Sequence, residues 1–275
     1  MRMSTTPPRL AAAVLLAALA VATAAEPLRL VVSTSMIEAA ARALTAGQAA
    51  APEVVRLLPP GSCPGHFDLS ARDLARVAAA DLFLRHDYQA ALAEKVAGLA
   101  GGGPRQVALS TPGSLLVPAH FLDLSRQVRV ALAAGPADAA ALSAAWTRLG
   151  EESAALTAEA RRQAEPWQGL AVVASVQQRE FCEWLGLRVV GALPRAEDLA
   201  PRDLAALQRS GARAVVGNLQ SDARPARALG ERLHLPVAIL SNFPDSADGG
   251  REAYTRLLRS NLQELQRACQ SPSPN

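Results

Sequence analysis

Four histidines are the residues through which this sequence can do chemistry, and three of them fall in its first half. His66 ends the run Pro59-Pro60-Gly61-Ser62-Cys63-Pro64-Gly65 and precedes Phe67-Asp68. His86 opens His86-Asp87-Tyr88, and His120 stands in Val117-Pro118-Ala119-His120-Phe121-Leu122-Asp123. His66 and His86 follow short apolar runs that read as strands, and His120 precedes a helical pattern in the same region. In open parallel α/β sheets, ligands collect beyond the carboxyl ends of the strands, so all three rings are expected at one edge of one lobe. Neutral imidazole is the commonest protein metal ligand, and two or three converging rings suit Zn2+ or another late first-row ion. Cys63, three residues before His66, could add a thiolate and favour Zn2+ or Cu+. The plainer reading of Cys63 is a loop cysteine facing core or solvent. His234, between a helix and a strand, reads as structural.

The elements that must position these side chains alternate along the chain. Predicted strands are Leu28–Ser33, Val54–Leu58, Leu82–Arg85 and Gln106–Leu109, then Leu170–Ala174, Leu187–Val190, Ala214–Val216 and Val237–Leu240. Helical patterns lie between them. Ser70-Ala71-Arg72-Asp73 reads as a capping box, and Pro201 suits the first turn of another helix. Alternating strands and helices predict parallel sheets with right-handed crossovers. The predicted fold class is therefore α/β, as two lobes that each hold a four-stranded, mainly parallel sheet with flanking helices. Between the lobes, from Ala137 to Glu165, the only glycine is Gly150 and there is no proline, while Leu142, Trp146, Leu149 and Leu156 recur at helical spacing. Some 29 residues would give one long rigid helix of about 43 Å. The alternative is two helices broken at Gly150. The expected organisation is residues 1–25 as a leader, 26–136 as the first lobe, 137–165 as the joining helix and 166–275 as the second lobe.

Leu10–Ala25 is apolar for 16 residues, shorter than the roughly 20 that span a bilayer, and ends in small residues. With Arg2 and Arg9 before it, residues 1–25 read as a cleaved secretory signal. No cysteine follows that would carry a lipid anchor. The formal charge of +3 comes from 28 basic and 25 acidic residues. Without Arg2 and Arg9 there are 26 against 25, a net +1. With no basic cluster, nucleic acid is not an expected partner. In an oxidising compartment the odd count of Cys63, Cys182 and Cys269 allows one bridge at most, and Cys182 with Cys269 is the pair left open.

Several motifs together resemble the metal-specific periplasmic solute-binding proteins of bacterial zinc and manganese ABC importers. His66-Phe67-Asp68 after a proline-rich loop matches the place of that family's first ligand histidine, and His120-Phe121-Leu122-Asp123 that of its second. Gly135-Pro136-Ala137-Asp138 resembles the start of its interdomain helix, and Leu170–Gly191 the start of its second lobe. The resemblance covers nearly the whole mature chain. It implies a monomeric receptor that binds Zn2+, or another late first-row ion, between its lobes and delivers it to an ABC permease in the inner membrane.

The departures lie in the second lobe. Val176 and Gln177 occupy the place of the family's third histidine, Leu240-Ser241-Asn242-Phe243-Pro244 that of its usual acidic ligand, and Gly217-Asn218 that of a glutamate. Neutral amides (Gln177, Gln178 and Asn242) would then complete the site, and Glu180 or Asp245 could lend an acid from the second lobe, from helix and loop positions rather than strand ends. Neutral donors leave the charge of a bare ion uncompensated and serve hard Mn2+ poorly. Candidate ligands are thus His66, His86, His120, Cys63, Gln177 and Asn242. Three alternatives stand beside the metal receptor: the same scaffold carrying a metal chelate or organic cargo, a metal chaperone without a permease, and a secreted thiol hydrolase built on Cys63 with His66 or His120. The few aromatics argue against a large apolar cage. No oxyanion donor can be named for a hydrolase.

Overall fold

Each apolar run bounded by turn residues becomes a strand, and the eight strands build two separate sheets. The first contains β1 (Arg29–Val32), β2 (Glu53–Arg56), β3 (Leu82–His86) and β4 (Arg105–Leu109) in the order β2-β1-β3-β4. The second contains β5 (Ala171–Ala174), β6 (Arg188–Ala192), β7 (Ala214–Asn218) and β8 (Val237–Leu240) in the order β6-β5-β7-β8. Every pairing is parallel. All eight predicted strands are present, with no end shifted by more than two residues. The computed structural model describes residues 26–59, 61–62, 64, 67–99, 103–135, 137–193, 201–245 and 250–270. The expected leader (residues 1–25), Cys63 and His66 lie outside them.

Central strands β5 and β7 are buried along their whole length, whereas edge strands β2 and β6 are not. This is what helices on both faces of a parallel sheet require. The helices are α1 (Ser35–Thr45), α2 (Ala71–Ala78), α3 (Ala90–Ala97) and α4 (Pro118–Ala133) in the first lobe. In the second they are α6 (Val176–Trp184), α7 (Pro201–Arg209), α8 (Arg224–Leu233) and α9 (Ala253–Gln270). Ser70 and Asp73 form the expected capping box on α2, and Thr34 caps α1 by accepting from the Ile37 amide.

Helix α5 (Ala139–Ala164) joins the lobes and runs unbroken through Gly150 for 26 residues, or about 39 Å. Asp138 starts it by accepting from the amides of Ala140 and Ala141 at 2.9 and 3.1 Å. It ends in the 3-10 turn Glu165–Trp167, where Pro166 has no N–H to continue it. Its buried face is Leu142, Ala145, Leu149, Ser153, Leu156, Ala160 and Ala164, a three- and four-residue spacing that keeps one stripe inward. Each lobe has a small core cluster of its own, around Val31 and Phe83 in the first and Val173 and Val215 in the second, but the largest core is shared. One apolar cluster runs from Leu30 through α1, α4 and α5 to Val216, Leu240 and Leu265.

The C-terminal helix closes this seam. Tyr254 of α9 stacks on Phe121 of α4 with ring centroids 3.7 Å apart and planes 3° from parallel. Its hydroxyl donates to the Leu116 carbonyl at 3.3 Å, and burial pushes its pKa far above the usual phenol value. Arg259 of α9 makes a two-pronged ion pair with Glu159 of α5, the shortest N–O distance being 2.9 Å. Cys182 and Cys269, left open as a pair by the sequence, are free thiols. Burial pushes them up to about 12 and about 11, so neither is a thiolate near neutral pH.

Tyr254→Phe should cost about 1 kcal/mol through the lost hydrogen bond, and Tyr254→Ala about 3–5 kcal/mol through the emptied seam. Urea-unfolding midpoints measure both, and equal midpoints for the alanine variant and the wild type would show that α9 does not hold the lobes together.

Candidate metal centre

Parallel strands end together, so the loops after β1, β3 and β4 of one sheet meet those after β5, β7 and β8 of the other. His120 sits in the first turn of α4, where Pro118 begins the helix and the His120 amide donates to the Val117 carbonyl at 2.9 Å. Its Nδ1 is 3.1 Å from the Ser114 carbonyl oxygen. A carbonyl can only accept, so Nδ1 carries the proton and Nε2 keeps its lone pair. That is the tautomer a metal-binding imidazole needs.

Glu180 reaches this histidine from the other lobe. On α6, it places Oε1 3.4 Å from His120 Nδ1, and its Oε2 accepts from the Ser114 amide at 2.6 Å. The contact is tight at one further point. A Cβ on Gly113 would lie 2.6 Å from Glu180 Oε1 and 2.7 Å from the His120 ring, so only glycine lets the two side chains meet. A carboxylate beside the protonated nitrogen of a ligand imidazole orients the ring and raises the basicity of the other nitrogen.

His86 behaves differently from the sequence expectation. It is fully buried at the end of β3. Its Nε2 is 2.9 Å from the Thr34 hydroxyl and its Nδ1 is 2.8 Å from the Thr111 hydroxyl. With both nitrogens engaged, the ring pins the loops after β1 and β4 and has no lone pair facing the cleft. Gln89 completes the arrangement by accepting from the His86 amide and from the Ser33 hydroxyl. Burial lowers the His86 pKa from 6.5 to about 4, against a smaller opposing effect from Asp87.

In the second lobe, Val176, Gln177, Glu180 and Asn242 line a recess of about 280 Å3 that faces Ser114 of the first lobe. Asn242 Oδ1 already accepts from Gln178 Nε2 at 2.8 Å, and its amide donates to Gln220 at 2.9 Å. Gln178 is fully buried and supports Asn242 from behind. Cys63 and His66 cannot be placed, but their neighbours Ser62 and Pro64 line a small recess with Thr34 and Phe243. Downstream, Asp68 is ion-paired with Lys95, the chain's only lysine, which holds the Asp68 carboxyl below its usual range. Among the described residues, no three His, Cys, Asp or Glu side chains converge on one point. His234 caps α8 in a left-handed conformation (φ 52°), in keeping with a structural role. Phe243 was not singled out from the sequence, yet it lines all three recesses of the cleft. An aromatic directly after the last strand, at the carboxyl edge, was the available signal.

The family model described as the periplasmic component A of the zinc-uptake complex matches residues 30–268. No curated protein matches the chain by sequence. Among solved structures, the solute-binding protein FpvC of Pseudomonas aeruginosa in complex with Mn2+ superposes with a TM-score of 0.73 at 16% identity, over 89% of this chain and 99% of that one. The laminin-binding protein Lmb of Streptococcus agalactiae, described as an adhesin with metal-transporting activity, gives 0.71 at 18% identity, over 88% and 100%. A crystal structure of ZnuA gives 0.71 at 14% identity, over 89% and 100%. At these identities the structures establish a shared fold.

The His86 environment sets a pH dependence. Its folded pKa of about 4 lies below the unfolded value, so between those values the unfolded chain takes up a proton that the folded chain refuses. Stability contributed by neutral His86 is fully present above pH 6.5 and falls as the pH drops toward 4, by roughly 3 kcal/mol in all. Urea unfolding from pH 7.5 to 4.5 should show this slope in the wild type and a shallower one in His86→Gln. Equal slopes would contradict it.

Proposed function

The chain belongs to the family of periplasmic zinc-uptake components, and from that premise we propose that it captures a transition-metal ion, Zn2+ foremost, between its lobes and delivers it to an ABC permease in the inner membrane. Members of this family bind cargo and are not enzymes, so a nucleophilic role for Cys63 falls away. Residues 1–25 act as the export signal, and the mature protein works as a monomer. No helix among the described residues is long and apolar enough to cross a membrane.

The observation that carries the reading is His120. Its Nδ1 proton is held by Ser114 and flanked by Glu180, which leaves Nε2 as a σ-donor to a late first-row ion. His66 supplies the second imidazole, from the loop whose described neighbours Ser62 and Pro64 share a recess with Phe243. Gln177 and Asn242 close the site from the second lobe as neutral oxygen donors. Cys63 remains a further candidate ligand beside His66. Imidazole and amide donors favour Zn2+ over Mn2+.

Isothermal titration of metal-free mature protein with Zn2+ should give one site per chain. His120→Ala and His66→Ala should each weaken it at least tenfold, and Glu180→Gln about tenfold, the usual size of losing a carboxylate behind a ligand imidazole. Absence of heat or thermal shift with Zn2+ in the wild type would overturn the reading.

A further inference from the structure

Beyond the ends of β7 and β8, against α9, lies a cavity of about 450 Å3 whose walls include Leu219, Gln220, Ser241, Asp245, Arg256 and Asn261. That is many times the space a single water or ion needs. Phe243 walls both this cavity and the 280 Å3 recess that Glu180, Gln177 and Asn242 line.

Exposed apolar side chains gather beside it. Among the described residues four large apolar side chains are exposed: Tyr88, Val130, Val176 and Leu219. Three of them, all but Val130, border the cleft. Tyr88 and Val176 line the smaller recess and Leu219 the larger cavity. Covering apolar surface stabilises a complex only if the cargo presents organic surface of its own. A hydrated ion gains nothing from Leu219, Val176 or Phe243.

Charge points the same way. Val176, Gln177 and Asn242 contribute no negative charge, and the one acid that lines the smaller recess, Glu180, is engaged with the Ser114 amide and His120 Nδ1, so little negative charge is left over for a bare dication in a partly desolvated site. Arg256, ion-paired with Glu252 at 3.7 Å, stands on the cavity wall. A guanidinium disfavours a naked cation nearby and favours a carboxylate. Asp245 on the same wall can accept from a hydroxyl or amine.

We propose that the cargo is a metal already held by a small amino- or hydroxycarboxylate chelator, whose organic body occupies the 450 Å3 cavity beside Phe243 and α9. The inference rests on the metal-receptor reading above and specifies the form in which the metal arrives. The chelator supplies anionic donors where the second lobe's Glu180 is already held by Ser114 and His120, and His120 adds an imidazole to the metal.

The test compares ZnCl2 in non-coordinating buffer, zinc citrate and zinc bis-histidinate on metal-free mature protein, by calorimetry and by equilibrium dialysis with radiolabelled chelator. At least one chelate should bind tenfold or more tightly than Zn2+ alone, and its chelator should be retained one per chain. Ser260→Trp fills the cavity from the exposed face of α9. It should remove the chelate's advantage while leaving the affinity for Zn2+ alone and the metal-free melting temperature unchanged. If Zn2+ binds alone and both chelators merely compete for it, the inference is overturned and the metal receptor stands. If neither Zn2+ nor a chelate binds, both readings fall. Chelate binding untouched by Ser260→Trp would also overturn the assigned cavity.

Discussion

The rings of Phe121 and Tyr254 lie parallel 3.7 Å apart, on helices that belong to different lobes. Around them one apolar cluster passes from the first sheet through α5 to the second. Separating the lobes would expose this seam to water at a cost of about 1.5–3 kcal/mol for each large side chain uncovered. A single straight helix of 26 residues also offers no strand pair that could twist as a hinge. The two carboxyl edges are therefore held facing each other at a nearly fixed separation. Everything the cleft does must be done by side chains and loops at those edges.

Within that frame, His86 and His120 show how one residue type is assigned two roles. His86 ends a central strand, and its ring is enclosed between two threonine hydroxyls that use both nitrogens. His120 opens a helix at the rim, and only one nitrogen is engaged. The difference is geometric rather than chemical. His86, at the end of central strand β3 of the β2-β1-β3-β4 sheet, is enclosed by Thr34 after β1 and Thr111 after β4. A helix start lies outside that cover. Glu180 then ties the rim of one lobe to the other through Ser114 and Gly113, where any larger residue would separate the two side chains.

Much of this was legible in the sequence because it is local. Eight strand positions, the Ser70–Asp73 capping box and the unbroken joining helix follow from apolar runs, cap residues and proline placement. The family resemblance also holds, on the order of motifs around His66, His120 and Leu170–Gly191. What escaped depends on distant partners. The burial of His86 rests on Thr34 and Thr111, 52 and 25 residues away, and no spacing rule reports such a meeting. Glu180 is offered by the sequence as a possible second-lobe acid, but its contacts with His120 and Ser114 are fixed only when the two sheets are brought together. Phe243 read as one aromatic among few, and its position at the centre of the cleft emerges only from the packing of both lobes.

The energy scales of the interlobe contacts then decide where motion can occur. The seam is dry and shared by many side chains, so opening it costs several kcal/mol. Glu180 is about half exposed and takes a hydrogen bond from the Ser114 amide, worth about 1.5–3 kcal/mol for a charged acceptor. Breaking that one contact loosens the two rims at less cost than opening the seam and without disturbing the core. Because Glu180 also flanks Nδ1 of His120, the same movement withdraws a carboxylate from behind the ring proposed above as a ligand, a partner that orients such a ring. A rigid two-lobed receptor can in this way couple a small, inexpensive side-chain rearrangement at its rim to weaker hold on its cargo, with no hinge involved.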